Sequence, residues 1–270
     1  MKIIKNILDL NKAIKDFNNF GFVPTMGGIH NGHISLIKSS QKKCKKTIVS
    51  IFVNPTQFNN KNDFVGYPRS LNKDIKILKK MNVDFLFIPS FSDIYKKKIK
   101  TVKIKTSDKI LCARFRKGHF DGVLNVMNRL LNIIKAKFVF MGEKDFQQLH
   151  LIKKYLSKKY NVNIIKCKTI RDKNGVALST RNKRLTTKQY LLVVKLVKEF
   201  KKLKERLTLK STILKVNLNK IIRNFERTYN IKIDYIEIRE EKNLKIVMKN
   251  KKFRLFVAFW INSIRLIDNY

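Results

Sequence analysis

The stretch Gly21-Phe22-Val23-Pro24-Thr25-Met26-Gly27-Gly28-Ile29-His30-Asn31-Gly32-His33-Ile34-Ser35-Leu36-Ile37-Lys38 reads as a short apolar strand, a glycine turn with two histidines, and a helix. A strand that breaks at glycine and opens a helix is expected to leave several backbone N–H groups unpaired. They would point into one cavity with the positive end of the helix dipole behind them. Imidazoles in the same turn add donors that can follow charge building on a phosphate. The pattern suits a nucleoside triphosphate attacked at its α-phosphate. As residues alone, two histidines can equally be packed or surface groups, so the rest of the chain must supply the other parts.

The surrounding chain alternates. Apolar runs at Phe22–Val23, Ile48–Val53, Phe85–Ile88, Phe138–Met141 and Val162–Ile165 are separated by helical periods. Leu71, Ile75 and Leu78 follow Ser70, a suitable N-cap, and Val123, Met127, Leu130 and Ile134 repeat the spacing. Strand–helix alternation predicts an α/β fold with a doubly wound parallel sheet covered on both faces. Ligands in such folds bind at the carboxyl ends of the strands, where the histidine turn falls. Beyond Thr169 the pattern changes. Thr186-Thr187-Lys188-Gln189 reads as a capping box before a helix through Leu207, and a second helix spans about 211–227. Strand-like runs follow at Ile233–Ile238, Leu255–Trp260 and Ile264–Ile267. The expected organisation is residues 1–169 as the parallel-sheet domain and 170–270 as a smaller α+β domain.

Composition narrows the class. The chain has 270 residues, of which 44% are hydrophobic and 30% charged, as in a globular protein. It has no run of the roughly 20 apolar residues a membrane span needs, and its first residues do not read as a signal peptide. Cys44, Cys112 and Cys167 are scattered, which points to free thiols and a cytoplasmic setting. The net charge is +42. The excess is lysine, which travels with isoleucine and asparagine as AT-rich codons do. It is spread through the chain in short clusters such as Lys96-Lys97-Lys98. Weak, salt-sensitive RNA association follows from such charge, without specific nucleic-acid recognition.

Other segments carry polar groups at strand ends. Asn54 and Gln57, in Val53-Asn54-Pro55-Thr56-Gln57-Phe58, place amides that can grip hydroxyls and a carboxylate, or form an ordinary Asn-Pro turn. In Gly142-Glu143-Lys144-Asp145-Phe146-Gln147-Gln148, Lys144 can neutralise phosphate oxygens and Asp145 can accept from a ribose hydroxyl, or the two can pair as a surface salt bridge. Ser179, Thr180 and Arg181 follow an Asn174-Gly175 turn and can close over a triphosphate, or simply follow a hairpin. Asp121, in Gly118-His119-Phe120-Asp121-Gly122-Val123, reads as a helix cap. Asp74 is a candidate metal contact.

Together these segments, with Tyr67-Pro68-Arg69 and the near-terminal Arg265-Leu266-Ile267-Asp268-Asn269, resemble the pantothenate synthetase (pantoate–β-alanine ligase) family over nearly the whole chain. The resemblance implies a Rossmann-like catalytic domain of the HIGH nucleotidyltransferase type, a small C-terminal lid and a homodimer. It implies that pantoate, β-alanine and ATP, with Mg2+, give pantothenate, AMP and pyrophosphate through a pantoyl adenylate. By motif position, Met26, Gly27, Gly28, Ile29, His30, Asn31, Gly32 and His33 would bind ATP, with His33 as proton donor. Gly142, Glu143, Lys144, Asp145, Ile170, Leu178, Ser179, Thr180 and Arg181 would also bind ATP. Gln57 and Gln148 would hold pantoate, and His30, His33, Lys144 and Arg181 would offset phosphate charge. Asn31 and Thr180 depart mildly from the family pattern, without loss of a reactive group. Competing classes are a related nucleotidyltransferase acting on a phosphorylated acceptor, which the paired amides disfavour, and a basic RNA-binding protein.

Overall fold

The strand over Phe20–Thr25 is a nearly continuous apolar run because it is buried on both faces, with Phe22 and Val23 wholly inaccessible. It lies inside a six-stranded sheet. The computed structural model describes residues 1–59, 61–96, 98–209, 216–247 and 251–270, and separates them into units Met1–Ile170 and Arg171–Tyr270.

The described elements of the first unit are β1 (Lys2–Ile4), α1 (Ile7–Ile14), β2 (Phe20–Thr25), α2 (Asn31–Lys43), β3 (Lys46–Ile51), α3 (Lys61–Val65), α4 (Leu71–Lys80), β4 (Phe85–Phe87), α5 (Phe91–Tyr95), α6 (Cys112–Phe115), α7 (His119–Ile134), β5 (Phe138–Gly142), α8 (Phe146–Leu156) and β6 (Asn163–Cys167). The sheet order is β1-β4-β3-β2-β5-β6, with every pair parallel. The chain therefore runs outward through β2, β3 and β4, then crosses back to start β5 on the other side of β2. This reversal is the topological switch point of a doubly wound fold.

Pro24 opens the sheet there. Thr25 O accepts from Phe52 N on the β3 side, so by alternation Gly21 and Val23 also serve β3 while Phe22 and Pro24 face β5. Proline has no N–H to give, and the β2–β5 ladder ends at Phe22↔Val139 whereas β2–β3 continues to Thr25↔Ile51. The β2–β5 ladder thus stops three residues short of the end of β2, at the switch point.

Helix α2 crosses β2 at Gly21, where an added Cβ would lie 2.2 Å from Ser40 Oγ and 2.7 Å from the Phe140 ring. It starts at Asn31, ahead of the apolar pattern, so His33 is in its first turn. Helix α7 buries Val123, Leu124, Met127, Leu130, Leu131 and Ile134. Each such side chain contributes about 1.5–3 kcal/mol of transfer free energy. Strand β1 is an edge strand too short to show a period in the sequence.

In the second unit, α9 (Thr187–Leu209) and α10 (Leu218–Tyr229) accompany the antiparallel sheet β7 (Lys232–Glu240), β8 (Phe253–Ile261) and β9 (Ile264–Asn269). Phe200 of α9 stacks on Phe225 of α10 with centroids 5.2 Å apart. The capping box forms: Thr186 N donates to Gln189 Oε1 at 2.9 Å and Gln189 N to Thr186 Oγ1 at 3.3 Å. The start expected for the second helix near Ser211, like Lys97 of the lysine cluster, lies outside the described residues. Two capping expectations need correction. Ser70 sits at the N-cap of α4, but its side chain accepts no capping bond. Asp121 is within α7, whose cap is Gly118 at φ +77°, and its carboxylate instead accepts from Ile104 N at 2.9 Å.

Candidate functional site

The polar segments identified in the first unit follow β3, β2 and β5, which are consecutive neighbours in the sheet. Their carboxyl ends are level on the β3 side, where Thr25 pairs with Ile51. Counting on three residues from Phe22↔Val139 brings Gly142 level with Thr25. The histidine turn and the Gly142–Asp145 segment thus follow the two strands that meet at the switch point, and the Asn54–Gln57 turn follows the neighbouring strand β3.

The glycine turn is built differently from the expectation. Gly27 and Gly28 have φ of +79° and +65°, conformations that suit glycine. The N–H groups are not left open. Gly27 N donates to Thr25 Oγ1 at 3.2 Å, and Gly28 N and Ile29 N donate to the two carboxylate oxygens of Asp74, each at 2.8 Å. Gly32 N donates to His30 Nδ1 at 3.1 Å. The turn is pre-organised by a buried acid from α4. Asp74, the candidate metal contact, braces this turn, each of its carboxylate oxygens accepting one backbone N–H. Among the described residues no group of three or more His, Cys, Asp or Glu is placed to hold a metal.

His30 and His33 lie with ring centroids 4.1 Å apart, tilted by 35°. His30 caps α2 and His33 sits one turn in, at the positive end of the helix dipole. Such a pair can donate to anionic oxygens.

Asn54 is 1% exposed, and both ends of its amide are hydrogen-bonded. Its Oδ1 accepts from Tyr95 Oη at 2.9 Å and Thr56 Oγ1 at 3.1 Å, and its Nδ2 donates to Gly122 O at 3.3 Å. Burial raises the Tyr95 pKa, keeping its hydroxyl a donor. Asn54 thus holds the turn together through its side chain. Gln57 is half-buried and reaches the histidine turn, donating from Nε2 to Met26 Sδ at 2.7 Å.

Beyond β5, Lys144 Nζ lies 3.3 Å from Asp145 Oδ1, with Asp145 half-exposed. Of the two glutamines at the start of α8, Gln147 is buried and donates to Ile110 O at 2.7 Å. Gln148 is half-buried and makes no side-chain hydrogen bond among the described residues. Ile170 ends the first unit. Leu178, Ser179, Thr180 and Arg181 belong to the second. There Arg171 and Ala177 bridge around Asn174-Gly175, and Ser179 Oγ accepts from Arg181 N at 3.3 Å. Arg171 forks onto Asp268 at 2.6 and 2.9 Å, so the near-terminal motif anchors this hairpin. All three cysteines are free and buried. Among the described residues, no helix is long and apolar enough to cross a membrane.

The family model described as Pantoate-beta-alanine ligase matches residues 2–270. Pantothenate synthetase of Endomicrobium trichonymphae is 42% identical over 277 residues, covering 100% of this chain and 97% of that one. The crystal structure of pantoate-beta-alanine ligase from Francisella tularensis, complexed with beta-gamma ATP and beta-alanine, is similar with a TM-score of 0.84 and 39% identity, covering 100% and 97% of the two chains. That of pantothenate synthetase from Thermus thermophilus has a TM-score of 0.88 at 28% identity, covering 100% and 99%. With a full-length family match, a Rossmann-like sheet and polar groups gathered at its switch point, the chain belongs to the pantoate–β-alanine ligase family, enzymes that form an amide bond.

Proposed function

We propose that this chain condenses pantoate with β-alanine at the expense of ATP, through a pantoyl adenylate, releasing AMP and pyrophosphate. The observation that carries the reading is the reversal of strand order between β2 and β5, with the histidine turn following one of these strands and the Gly142–Asp145 segment following the other. A nucleotide seated across a switch point presents its phosphates to the helix start beneath.

A carboxylate is a poor acylating agent and must be activated first. Its oxygen attacks the α-phosphorus and pyrophosphate leaves. The amine of β-alanine then attacks the acyl carbon, loses a proton and displaces AMP. No protein nucleophile is required, so catalysis is placement and charge stabilisation. Gln57 and Gln148 are assigned to pantoate, since both are half-buried amides in the segments that follow β3 and β5. His30, His33 and Lys144 are assigned to phosphate charge, with His33 as proton donor to the leaving group. Leu178 to Arg181 and Ile170 are assigned to the nucleotide on sequence resemblance. Magnesium is read as part of the substrate MgATP, held by phosphate oxygens and water. Homodimerisation and a cytoplasmic setting complete the proposal.

The test uses pantoate labelled with oxygen-18 in its carboxylate. AMP should form only when both pantoate and β-alanine are present, and should carry one labelled oxygen. Unlabelled AMP, or ADP as product, would overturn the adenylate route.

A further inference from the structure

The segment Gly118-His119-Phe120-Asp121-Gly122-Val123 is not used by this mechanism, yet it packs directly beneath one of its residues. His119 is buried and bonded at both nitrogens, Nδ1 to Gln57 O at 2.6 Å and Nε2 to Arg116 Nη1 at 2.7 Å. Guanidinium can only donate, so Nε2 accepts. The ring proton is thereby placed on Nδ1, where it is donated to the Gln57 carbonyl. Arg116 sets the tautomer and His119 passes the constraint to the turn.

Gly122 completes the support. A Cβ there would lie 2.3 Å from Thr56 O, 2.7 Å from Thr56 C and 2.9 Å from Gln57 Cα. Only a hydrogen fits, and the helix backbone presses on the turn. Gly122 O also receives Asn54 Nδ2 at 3.3 Å. These contacts come from the first turn of α7, whose remaining length is held in the core. The turn they hold carries the Gln57 side chain to Met26.

We infer that His119, with Gly122, is a positioning element that fixes Gln57 for the pantoate carboxylate without touching substrate itself. This rests on the proposed role of Gln57. Holding an amide to within a fraction of an ångström is the task such supporting hydrogen bonds perform. The inference requires a selective effect on the acid and dependence on Gln57, neither of which a general packing role supplies.

The experiment compares His119→Ala, Gln57→Ala, their double variant and His119→Asn by steady-state kinetics, varying pantoate and ATP separately. His119→Ala should raise the pantoate KM about tenfold and leave the ATP KM within about twofold. The double variant should be no worse than Gln57→Ala, because the two act through one group. His119→Asn, which restores an N–H near the Nδ1 position, should recover to within about threefold of the parent. An unchanged pantoate KM in His119→Ala, equal rises for both substrates, or additive losses in the double variant would overturn the inference. If His119→Ala does not fold, Gly122→Ala is judged by the same criteria. Should Gln57→Ala leave the pantoate KM unchanged, the role of Gln57 falls and this inference with it. If only the His119 variants are silent, the inference alone falls.

Discussion

Replacing Asp74 by Asn changes two atoms of charge distribution and almost no volume, which makes it a clean test of how the glycine turn is held. In the parent, the 3% exposed carboxylate accepts from Gly28 N and Ile29 N, each at 2.8 Å. Hydrogen bonds to a charged acceptor contribute about 1.5–3 kcal/mol each. The amide keeps one oxygen and so one neutral bond of about 1 kcal/mol, while its nitrogen is set against the other N–H. The net loss is about 2–5 kcal/mol, and no cavity term enters. For a unit of this size each kcal/mol moves the midpoint by about 2–4 °C. Thermal unfolding followed by near-ultraviolet circular dichroism should therefore show a fall of about 4–20 °C. The ATP KM should rise as the turn loosens, because Met26 and the histidines extend from it. A midpoint within about 2 °C of the parent, with unchanged ATP KM, would refute the claim that Asp74 organises the turn.

His33→Ala should slow pyrophosphate release by about a hundredfold, the usual scale for losing one group that stabilises developing charge; a change under about threefold removes it from the mechanism. Gly21→Ala should cost about 1–3 kcal/mol in urea unfolding, since the new methyl meets Ser40 Oγ and the Phe140 ring, and an unchanged midpoint would mean that α2 can lift from the sheet freely. Burial acts to raise the pKa of Asp108, but hydrogen bonds from Lys154 and Tyr155 outweigh it and hold the group below its usual value. Its contribution to stability is thus fully present above the unfolded value near 3.9 and is lost as pH falls through the lower folded one. The stability gap between parent and Asp108→Asn should be constant from about pH 5 to 8 and shrink below about 4; urea midpoints that keep the same gap at acid pH would contradict this.

Much of the fold is local in origin. Ile48–Val53 and Phe138–Met141 announce strands because a strand buried on both faces must be apolar throughout. Thr186 and Gln189 announce a helix start because both halves of a capping box lie within four residues. Segments that are polar or very short carry no such local signal. Asn31, Gly32 and His33 carry no hydrophobic period, so α2 begins before the pattern does. Lys2–Ile4 is too short to show one.

The site divides along the same line. Residue types and their order along the chain were enough to suggest a nucleotide turn and acid-binding amides, since each motif is contiguous. Which of those residues hold the site together was decided only in three dimensions. Asp74 is 45 and 46 residues from the donors it accepts, Asn54 is 68 residues from Gly122, and His119 is 62 from Gln57. No periodicity spans such distances. A hydrogen bond depends on where two atoms finally stand, and a parallel sheet brings together segments that the chain keeps far apart.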